Sequence, residues 1–370
     1  MKRSIATGLC VLICPVASHG EVIPLSPDRW EVQGPVVFEQ RDGRQAMRLG
    51  APATGQRSGG TANVKDLNFV TGVVEYDVLL PEVMEFSGPI FHQSDESTGE
   101  YIYFRPHMNG KPDAIQYTPV VNGNLAWQIF TGPGFEAETT FPLNKWFHVR
   151  LDVYPASAQL SVDGKPVLAI PELKNGALSG ALGFASLAGG TYYSNVTVEP
   201  IKDYKDPAPP PPAKALADGT ILKWNVSEAL TQEAAFARAS KRNWAGVPWH
   251  SIAVESNGIA NLSKAGRDGD DEHSFIARFS VRSPKAKSVP MQFGFSDDVR
   301  VYLNGVPLYE GSDRQNSRDY RFLGHAGFWD TVFLPLKAGA NEIVLVVTDP
   351  TNGGTAAAAI ISPVSGVRVQ

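Results

Sequence analysis

The chain has very little cysteine for its length. Its 370 residues include 2 cysteines, Cys10 and Cys14, and both lie within the first 20 residues. The rest of the chain can therefore form no disulfide bond and no cysteine-based zinc site. The histidines are scattered and lack the His-Glu-x-x-His spacing of a zinc-binding helix. We expect hydrophobic burial alone to stabilise this fold.

Charge and long apolar runs are also scarce. Charged residues make up 19% of the chain, and the formal net charge is -5. A mildly acidic chain does not favour a nucleic acid or an anionic membrane as its partner. After the first 20 residues no segment is apolar over the roughly 20 residues that a transmembrane helix needs, so we expect no transmembrane anchor. Phosphate-binding glycine loops and a Gly-x-Ser-x-Gly motif are absent as well.

The first 20 residues have the pattern of a signal peptide. Lys2 and Arg3 precede an apolar stretch over residues 5–16, and small residues follow it. This order is typical of a segment that is removed on export. We therefore predict a signal peptide over residues 1–20 and a protein located in the periplasm or outside the cell.

Glycine and proline are abundant, with 35 and 28 copies. Such a composition favours short strands joined by turns. Two segments carry the same turn signal, "LSVDGKPVLAI" (160–170) and "VYLNGVPLYEG" (301–311). Asp-Gly and Asn-Gly tolerate the positive φ angles of a two-residue hairpin turn. Each segment therefore predicts a β-hairpin.

The pattern along the chain predicts two β-rich units. The segment "KWFHVRLDVY" (145–154) shows the alternation of a half-buried strand, and strand-like runs, including "LAWQIF" (125–130), occupy most of the chain. A run of four prolines within residues 201–215 cannot join a sheet and favours an extended spacer. We predict an all-β protein of two jelly-roll β-sandwiches, residues 21–200 and 216–370, joined by this proline-rich linker. One helix is expected near residues 227–240, where Ala, Glu and Gln are frequent.

Several stretches in each unit are distinctive. In the first unit they are "EYIYFRPHMNGKPDAIQYTPVVNGNLAWQIFTGPGF" (100–135), "WFHVRLDVYPASAQLSVDGKPVL" (146–168), "GALGFAS" (180–186) and "TYYSNVTV" (191–198). In the second they are "FGFSDDVRVYLNGVPLYEG" (293–311) and "FLPLKAGANEIVLVV" (333–347). On these stretches the first unit resembles the concanavalin A-like, laminin-G-like jelly rolls, and the second resembles the galactose-binding-like jelly rolls. The first likeness implies a fold that hosts lectins, adhesion modules and glycosidases alike. The second implies a domain that often accompanies carbohydrate-active proteins.

The stretch "EYIYFRPH" (100–107) gives the candidate binding site. Alternation places its tyrosines, its arginine and its histidine on one face, and Ile102 and Phe104 on the other. Flat aromatic faces and planar polar groups suit sugar rings and their hydroxyls. The alternative is an amphipathic sheet whose Tyr and Trp tips merely reach water. The candidate ligand-binding residues, including those from neighbouring strands, are His92, Gln93, Tyr101, Tyr103, Arg105, His107, Gln116, Trp127 and Gln128.

The stretch "VEYDVLLPE" (74–82) gives the weak catalytic candidates, Glu75 and Asp77. It is similar to the carboxylate strand of family-16 glycoside hydrolases, and retaining glycosidases need two carboxyl groups roughly 5 Å apart. The next position on the same face is Leu79, so the motif is incomplete. A solvated strand face is the alternative interpretation. The unit also resembles the sandwich associated with 3-keto-glycoside hydrolysis, without a recognisable catalytic set.

Two further clusters stand out. Asp268, Asp270 and Asp271 lie in "AGRDGDDEHS" (265–274), and clustered carboxylates can bind calcium, although a solvated acidic loop has the same composition. The second is an aromatic and basic region in the second unit, where jelly-roll loops often carry ligands. Its members are Tyr309, Arg314, Arg318, Tyr320, Arg321, His325 and Trp329.

Three functions fit these observations. The first is an exported, non-enzymatic protein that binds a glycan or polysaccharide, with calcium as a candidate cofactor. The second is a glycoside-processing hydrolase of a concanavalin A-like or 3-keto-glycoside type. The third is a structural or adhesion module of the cell envelope. Sugar binding that is lost on replacing Trp127 or Tyr103 would distinguish the first from the other two.

Overall fold

The structure is a computed structural model that describes residues 20–51, 58–187, 189–201, 214–267, 269, 273–314, 325–350, 354–363 and 366–370. Its regular structure is almost entirely antiparallel β-sheet, arranged as four sheets in two β-sandwiches. The strands of the first sandwich lie between residues 21 and 199, and those of the second between residues 223 and 369. The predicted all-β sandwich class is therefore confirmed. Most of the proline-rich segment and nearly all of residues 1–20 lie outside the described residues.

The first sheet of the first sandwich has eight strands, which are β1 (Glu21–Val22), β3 (Val36–Arg41), β4 (Arg44–Leu49), β6 (Gly72–Leu79), β12 (Trp146–Val153), β13 (Ala158–Val162), β14 (Lys165–Ile170) and β16 (Thr191–Glu199). Their order across the sheet is β14-β13-β12-β6-β16-β4-β3, and β1 pairs with β16. In β12 every second residue is buried, as the alternation of residues 145–154 predicted.

The second sheet carries the candidate binding residues. It also has eight strands, which are β2 (Trp30–Gln33), β5 (Gly60–Val64), β7 (Ser87–Asp95), β8 (Thr98–Phe104), β9 (Ile115–Val121), β10 (Asn124–Leu125), β11 (Glu136–Ala137) and β15 (Ala181–Ser186). Their order is β10-β9-β8-β7-β15-β5-β2, and β11 pairs with β9. Residues from both sheets, such as Val149 of β12 and Phe184 of β15, form one buried core between them.

The second sandwich has a seven-stranded and a four-stranded sheet around a core of its own. The strands of the larger sheet are β17 (Lys223–Ser227), β18 (Trp249–Ala253), β20 (Ser274–Ser283), β22 (Asp298–Leu303), β23 (Val306–Ser312), β25 (Gly339–Thr348) and β27 (Arg368–Val369). Those of the smaller sheet are β19 (Ala260–Asn261), β21 (Lys287–Ser296), β24 (Asp330–Leu336) and β26 (Ala356–Ile361). The larger sheet has the order β18-β17-β20-β25-β22-β23, with β27 on β20, and the smaller has the order β19-β26-β21-β24.

Both predicted hairpins are confirmed. In the first, Asp163 and Gly164 have φ of 46° and 74° and join β13 to β14. In the second, Asn304 and Gly305 have φ of 53° and 87° and join β22 to β23. Each hairpin lies in a different sandwich, because each sandwich needs a tight connection between neighbouring antiparallel strands.

The α-helix is shorter at its start than the sequence predicted. It is α1 (Gln232–Lys241), and the hydroxyl of Thr231 accepts the N–H of Ala234 at its N-terminus. Ser227 instead ends β17, where its hydroxyl accepts the N–H of Ile276. A hydroxyl that caps a helix favours the start of the helix at that point. Two short 3-10 turns, Pro106–Met108 and Leu262–Ala265, also occur.

The strand expected over residues 125–130 is wrong. Only Leu125 belongs to a strand, and the chain then turns, with the N–H groups of Ile129 and Phe130 bonded to the carbonyl of Ala126. This turn packs against the second sandwich, in an apolar cluster that includes Ile259. Burial of the turn against another part of the protein outweighs the local strand preference of Leu, Trp, Ile and Phe.

Hydrogen bonds reinforce this junction between the sandwiches. The amide of Gln128 donates to Asp297 at 2.9 Å and accepts from the hydroxyl of Ser296 at 2.5 Å, and all three side chains are buried. The amides of Asn122 and Asn257 also donate to carbonyl groups across the junction, at 2.7 and 2.8 Å. The junction is therefore both apolar and specifically hydrogen-bonded. No helix in the described part of the chain is long and apolar enough to cross a membrane.

Candidate functional site

The side chains on the two faces of β8 pack in different clusters, as predicted. Ile102 and Phe104 belong to the core between the two sheets, whereas Tyr101 and Tyr103 form a separate cluster on the opposite face. The strand ends at Phe104, and the 3-10 turn Pro106–Met108 follows. His107 therefore lies in a turn, and the prediction that it continues the strand alternation is wrong. Pro106 removes a backbone donor at this point and ends the strand pairing.

Arg105 lies at the centre of the candidate site. Its guanidinium forms an ion pair with Asp113, and the side chains are 5% and 3% exposed. Its central carbon lies 5.5, 5.4 and 5.5 Å from the ring centroids of Phe86, Tyr103 and Trp127. At these distances the aromatic faces attract the cation, and more strongly so where water is excluded. Three rings and one carboxylate thus surround a single buried charge.

A hydrogen-bonded chain leads from this centre to the next strand. The hydroxyl of Tyr103 donates to the amide oxygen of Gln116 at 2.8 Å, and the amide nitrogen of Gln116 donates to the carbonyl of Trp127 at 3.2 Å. Burial raises the pKa of Tyr103 to about 12, although the neighbouring Arg105 opposes this. The phenol therefore keeps its proton at neutral pH and acts as a hydrogen-bond donor.

The edge of the cluster reaches solvent. His107 is exposed, and its ring lies 5.1 Å from that of Phe86 in an edge-to-face arrangement. Phe86 and Trp127 are half-buried. Ring surface is thus presented outward, while the polar groups behind it are held in place. We refer to this group as the Arg105 cluster, and its members are Phe86, Tyr103, Arg105, His107, Asp113, Gln116 and Trp127.

Glu85 positions the outer ring of this cluster. Its side chain is fully buried, and its carboxylate accepts the N–H groups of Phe86 at 2.7 Å, Leu187 at 3.1 Å and Gly189 at 2.5 Å. The hydroxyl of Ser186 donates to the same carboxylate at 3.1 Å. A buried carboxylate that accepts several hydrogen bonds fixes the loops that supply them. Glu85 thereby ties the loop before β7 to the loop after β15.

The second sandwich reaches the border of the cluster. Strand β11 pairs with β9 so that Glu136 lies opposite Gln116. Nε2 of His325, from the second sandwich, lies 2.8 Å from Oε1 of Glu136, and the side chains are 13% and 7% exposed. The N–H of Gly132 donates to the other carboxylate oxygen at 2.7 Å. A polar pair thus lies where the second sheet meets the second sandwich.

Three predicted binding residues lie elsewhere. The ring of His92 contacts Phe91, and its Nε2 lies 2.6 Å from the carbonyl of Val70. The pKa of His92 is lowered by burial. The amide of Gln93 donates to that of Asn63 at 2.9 Å, toward the opposite end of β7 from the cluster. Gln128 belongs to the junction. The structure therefore brings together Tyr101, Tyr103, Arg105, His107, Gln116 and Trp127, and leaves His92, Gln93 and Gln128 apart.

Glu75 and Asp77 lie on the outer face of the first sheet, away from the Arg105 cluster. Asp77 accepts hydrogen bonds from Arg44 at 2.7 Å and from Asn195 at 2.7 Å. Nδ1 of His148 lies 3.0 Å from Asp77, and Glu75 accepts from Arg150 at 3.1 Å. The two carboxylates thus form part of a partly exposed ion-pair network. Such networks are common on solvated sheet faces.

The candidate metal residues Asp268, Asp270 and Asp271 lie outside the described residues. Within the described ranges, no group of three or more His, Cys, Asp or Glu side chains is arranged to hold a metal ion. The aromatic and basic region of the second sandwich divides into separate contacts. Arg314 pairs with Asp298, and His325 approaches Glu136. Arg318, Tyr320 and Arg321 are likewise not among the described residues.

A cavity of about 660 Å³ also lies between the sandwiches. Phe135 and Pro171 from the first sandwich and Phe328 from the second line it. One of its two lysines, Lys174, is paired with Glu172 at 2.7 Å. The lining is mainly apolar and includes no member of the Arg105 cluster, so this cavity is a different place on the molecule.

Phe86, Asp113 and Glu136 were not among the residues predicted from the sequence. The chain reverses direction between Arg105 and Asp113. The N–H of Arg105 donates to the carbonyl of Ala114, and this bond brings both side chains to the same end of the β8–β9 pair. The turn residues in "HMNGKPDA" (107–114) are the signal for this return. Glu136 needs the pairing of β11 with β9, and no local signal indicates it.

No protein-family model and no curated protein sequence matches the chain. Among solved structures, it is similar to carbohydrate binding module CBM66 from Bacillus subtilis, with 15% identity and a TM-score of 0.36 over 46% of this chain and 95% of that one. It is similar to a Bacillus subtilis protein of unknown function with a galectin-like fold, with 12% identity and a TM-score of 0.38 over 48% of this chain and 94% of that one. A β-1,3-1,4-glucanase from a mouse hindgut metagenome has 15% identity and a TM-score of 0.36 over 50% of this chain and 99% of that one.

Proposed function

We propose that this protein is an exported, non-enzymatic glycan-binding protein and that the Arg105 cluster is its binding site. The observation that carries the proposal is the enclosure of the Arg105 guanidinium by the rings of Phe86, Tyr103 and Trp127. Two of these rings, together with His107, reach the surface. The cluster therefore combines outward ring surface with ordered polar groups behind it.

This combination matches the chemistry of a sugar. The C–H faces of a sugar ring pack on flat aromatic surface, and its hydroxyls need donors and acceptors of fixed direction. Nε of Arg105 and Oδ1 of Asp113 are buried and have no hydrogen-bond partner among the described residues. Buried polar atoms without partners are costly, and a ligand hydroxyl that reached them would satisfy both a donor and an acceptor.

The non-enzymatic part of the proposal rests on the ion pairs that the candidate carboxylates form. Asp113 is held by Arg105, and Glu136 lies at ion-pair distance from His325. Glu75 and Asp77 are in ion pairs on the other sheet. Hydrolysis of a glycoside by the two-carboxylate route needs one free acid and one free base or nucleophile at the same bond.

We also propose that residues 21–200 and 216–370 are separate domains joined by the segment 201–215.

A glycan array tests the proposal. The mature protein is screened with calcium and again with a chelator, together with Trp127→Ala. The matched control is Trp146→Ala, a half-buried tryptophan that contacts Arg44 on the first sheet. We expect glycan signals that Trp127→Ala loses and Trp146→Ala keeps. Loss of signal in chelator would support a calcium site in residues 265–274.

Three results would contradict the proposal. A blank array would favour the adhesion alternative. Equal signals from Trp127→Ala and the wild type would place any sugar site elsewhere. New reducing ends, released from an array glycan in solution, would show a glycoside hydrolase rather than a binding protein.

A further inference from the structure

We infer that the ligand is an oligosaccharide chain of several sugar units, which crosses from the Arg105 cluster onto the second sandwich and contacts Trp329 there. This inference rests on the proposed glycan-binding function and deepens it, because it specifies a chain rather than a single terminal sugar. It depends on three features, which are the fixed junction, the exposure of Trp329 and the polar pair beside the cluster.

The junction places a segment of the second sandwich directly beside Trp127. The N–H of Ala326 donates to the carbonyl of Gln128, the residue after Trp127, at 2.8 Å. The side chain of Gln128 is itself bonded to Ser296 and Asp297. Backbone and side chain of one residue thus hold the two sandwiches in a defined relation. A surface that continues across this point can act as one site.

Trp329 presents ring surface next to this contact. It is 46% exposed and is the only tryptophan exposed to this degree in the part of the chain that the structure describes. Its indole N–H donates to the carbonyl of His325 at 3.2 Å, which restrains the ring. A large aromatic side chain that is both restrained and exposed loses little entropy on binding a second flat surface.

The polar pair beside the cluster joins the second sheet to the segment that carries Trp329. Glu136 lies across from Gln116 of the cluster, and His325 is joined to Trp329 by the indole hydrogen bond. The carboxylate of Glu136 and the imidazole of His325 lie 2.8 Å apart. Both side chains are largely buried, so the pair positions the segment that carries Trp329. The rings of the Arg105 cluster and the exposed ring of Trp329 are thus connected by one continuous series of contacts, an arrangement that suits successive units of a sugar chain.

Native gel electrophoresis in the presence of polysaccharides tests this inference. The gels contain starch, hydroxyethyl cellulose, xylan, laminarin, galactan or pectin, and the full-length mature protein is compared with Trp127→Ala and Trp329→Ala. The matched control is Phe333→Ala, which removes a 66% exposed ring from the same sandwich. Thermal unfolding of each variant shows that the fold is retained. We expect at least one polymer to retard the wild type and the control. Both tryptophan variants should need about tenfold more of that polymer, or more still, for the same retardation.

The outcomes separate the inference from the proposed function. If Trp127→Ala loses retardation and Trp329→Ala matches the wild type, the extended site is wrong and the glycan-binding cluster stands. If no polymer retards the wild type while the array yields short glycans, the chain-like ligand is likewise wrong. If both the gels and the array are blank, both proposals are wrong.

Discussion

The ion pair of Arg105 and Asp113 is almost completely buried, with side chains that are 5% and 3% exposed. A buried ion pair adds little net stability, because the loss of hydration offsets much of the attraction between the charges. Removal of one partner is costly, since it leaves the other charge buried and unpaired. The pair is better explained by position, because Asp113 fixes the guanidinium between three rings. The glycan-binding proposal depends on that placement.

Replacement of Asp113 by alanine should destabilise the first sandwich by about 3–5 kcal/mol, since Arg105 would remain buried without its counterion. Glu21→Ala is the control, because it breaks the pair of Glu21 with Arg29, whose side chains are 60% and 37% exposed. Exposed pairs contribute up to about 1 kcal/mol. Urea unfolding measures both variants. Equal losses of stability would contradict the structural role given to Asp113.

Glu85→Gln should destabilise the protein and weaken glycan binding. Each oxygen of Glu85 accepts two donors, with the N–H groups of Phe86 and Leu187 on Oε1. The glutamine amide has an NH2 group in place of one carboxylate oxygen, so its own donor faces two of the four donor groups. Each buried hydrogen bond that is lost costs about 1–3 kcal/mol. The control is Glu82→Gln, an exposed position in the same loop. Thermal unfolding and array binding should both fall for Glu85→Gln alone. An unchanged variant would show that Phe86 is held by other contacts.

Glu100 should make stability depend on pH. Burial raises the pKa of Glu100 from 4.5 to about 7, against the opposing hydrogen bonds from Tyr117 and Asn175. The folded state therefore binds this proton more tightly than the unfolded state does. Its contribution to stability is complete below pH about 4.5 and is lost as the pH rises through about 7, with a total on the order of 3 kcal/mol.

Glu100→Gln removes this titration and should flatten the decline in unfolding free energy between pH 4.5 and 7.5. Glu96→Gln, at an exposed position just before β8, is the matched control and should retain the decline of the wild type. Urea unfolding at several pH values measures the slope. If the slope is the same in the wild type and Glu100→Gln, the buried carboxyl does not govern it.

The junction should hold the sandwiches together without a covalent link. A protease site introduced into the segment 201–215 allows the chain to be cut after folding. We expect the two fragments to elute together in size-exclusion chromatography, because buried apolar side chains and the bonds of Gln128 and Asn257 join them. Combined Gln128→Ala and Asn257→Ala changes should favour separation. Separate elution of the unsubstituted fragments would contradict a stable junction.

Local signals predicted local structure well. The Asp163–Gly164 and Asn304–Gly305 turns and the alternation around Tyr103 follow from dihedral preferences and period-2 patterning, which depend on neighbouring residues alone. His107 departed from the pattern because Pro106 ends the strand. The alternation therefore predicted which face each side chain takes only for the residues that precede Pro106.

Distant relationships could not be predicted from the sequence. The turn after Leu125 resembles a strand in composition, and its conformation follows from burial against Ile259 of the other sandwich. The approach of His325 to Glu136 likewise depends on how two sandwiches meet. Pairings of this kind depend on tertiary contacts between residues far apart in the sequence, which composition and periodicity do not encode. The grouping of Tyr103, Arg105 and Trp127 was predicted from the sequence, and the approach of the second sandwich to it was not.

Hydrogen–deuterium exchange of the full protein, with and without the strongest array glycan, is the sharpest test of the Arg105 cluster as a glycan-binding site. We expect glycan-dependent protection in peptides that cover residues 84–87, 103–108 and 125–129. Protection confined to the first-sheet face around residues 146–150, to the cavity around Lys174, or to no part of the chain would contradict the assignment of the Arg105 cluster as the binding site.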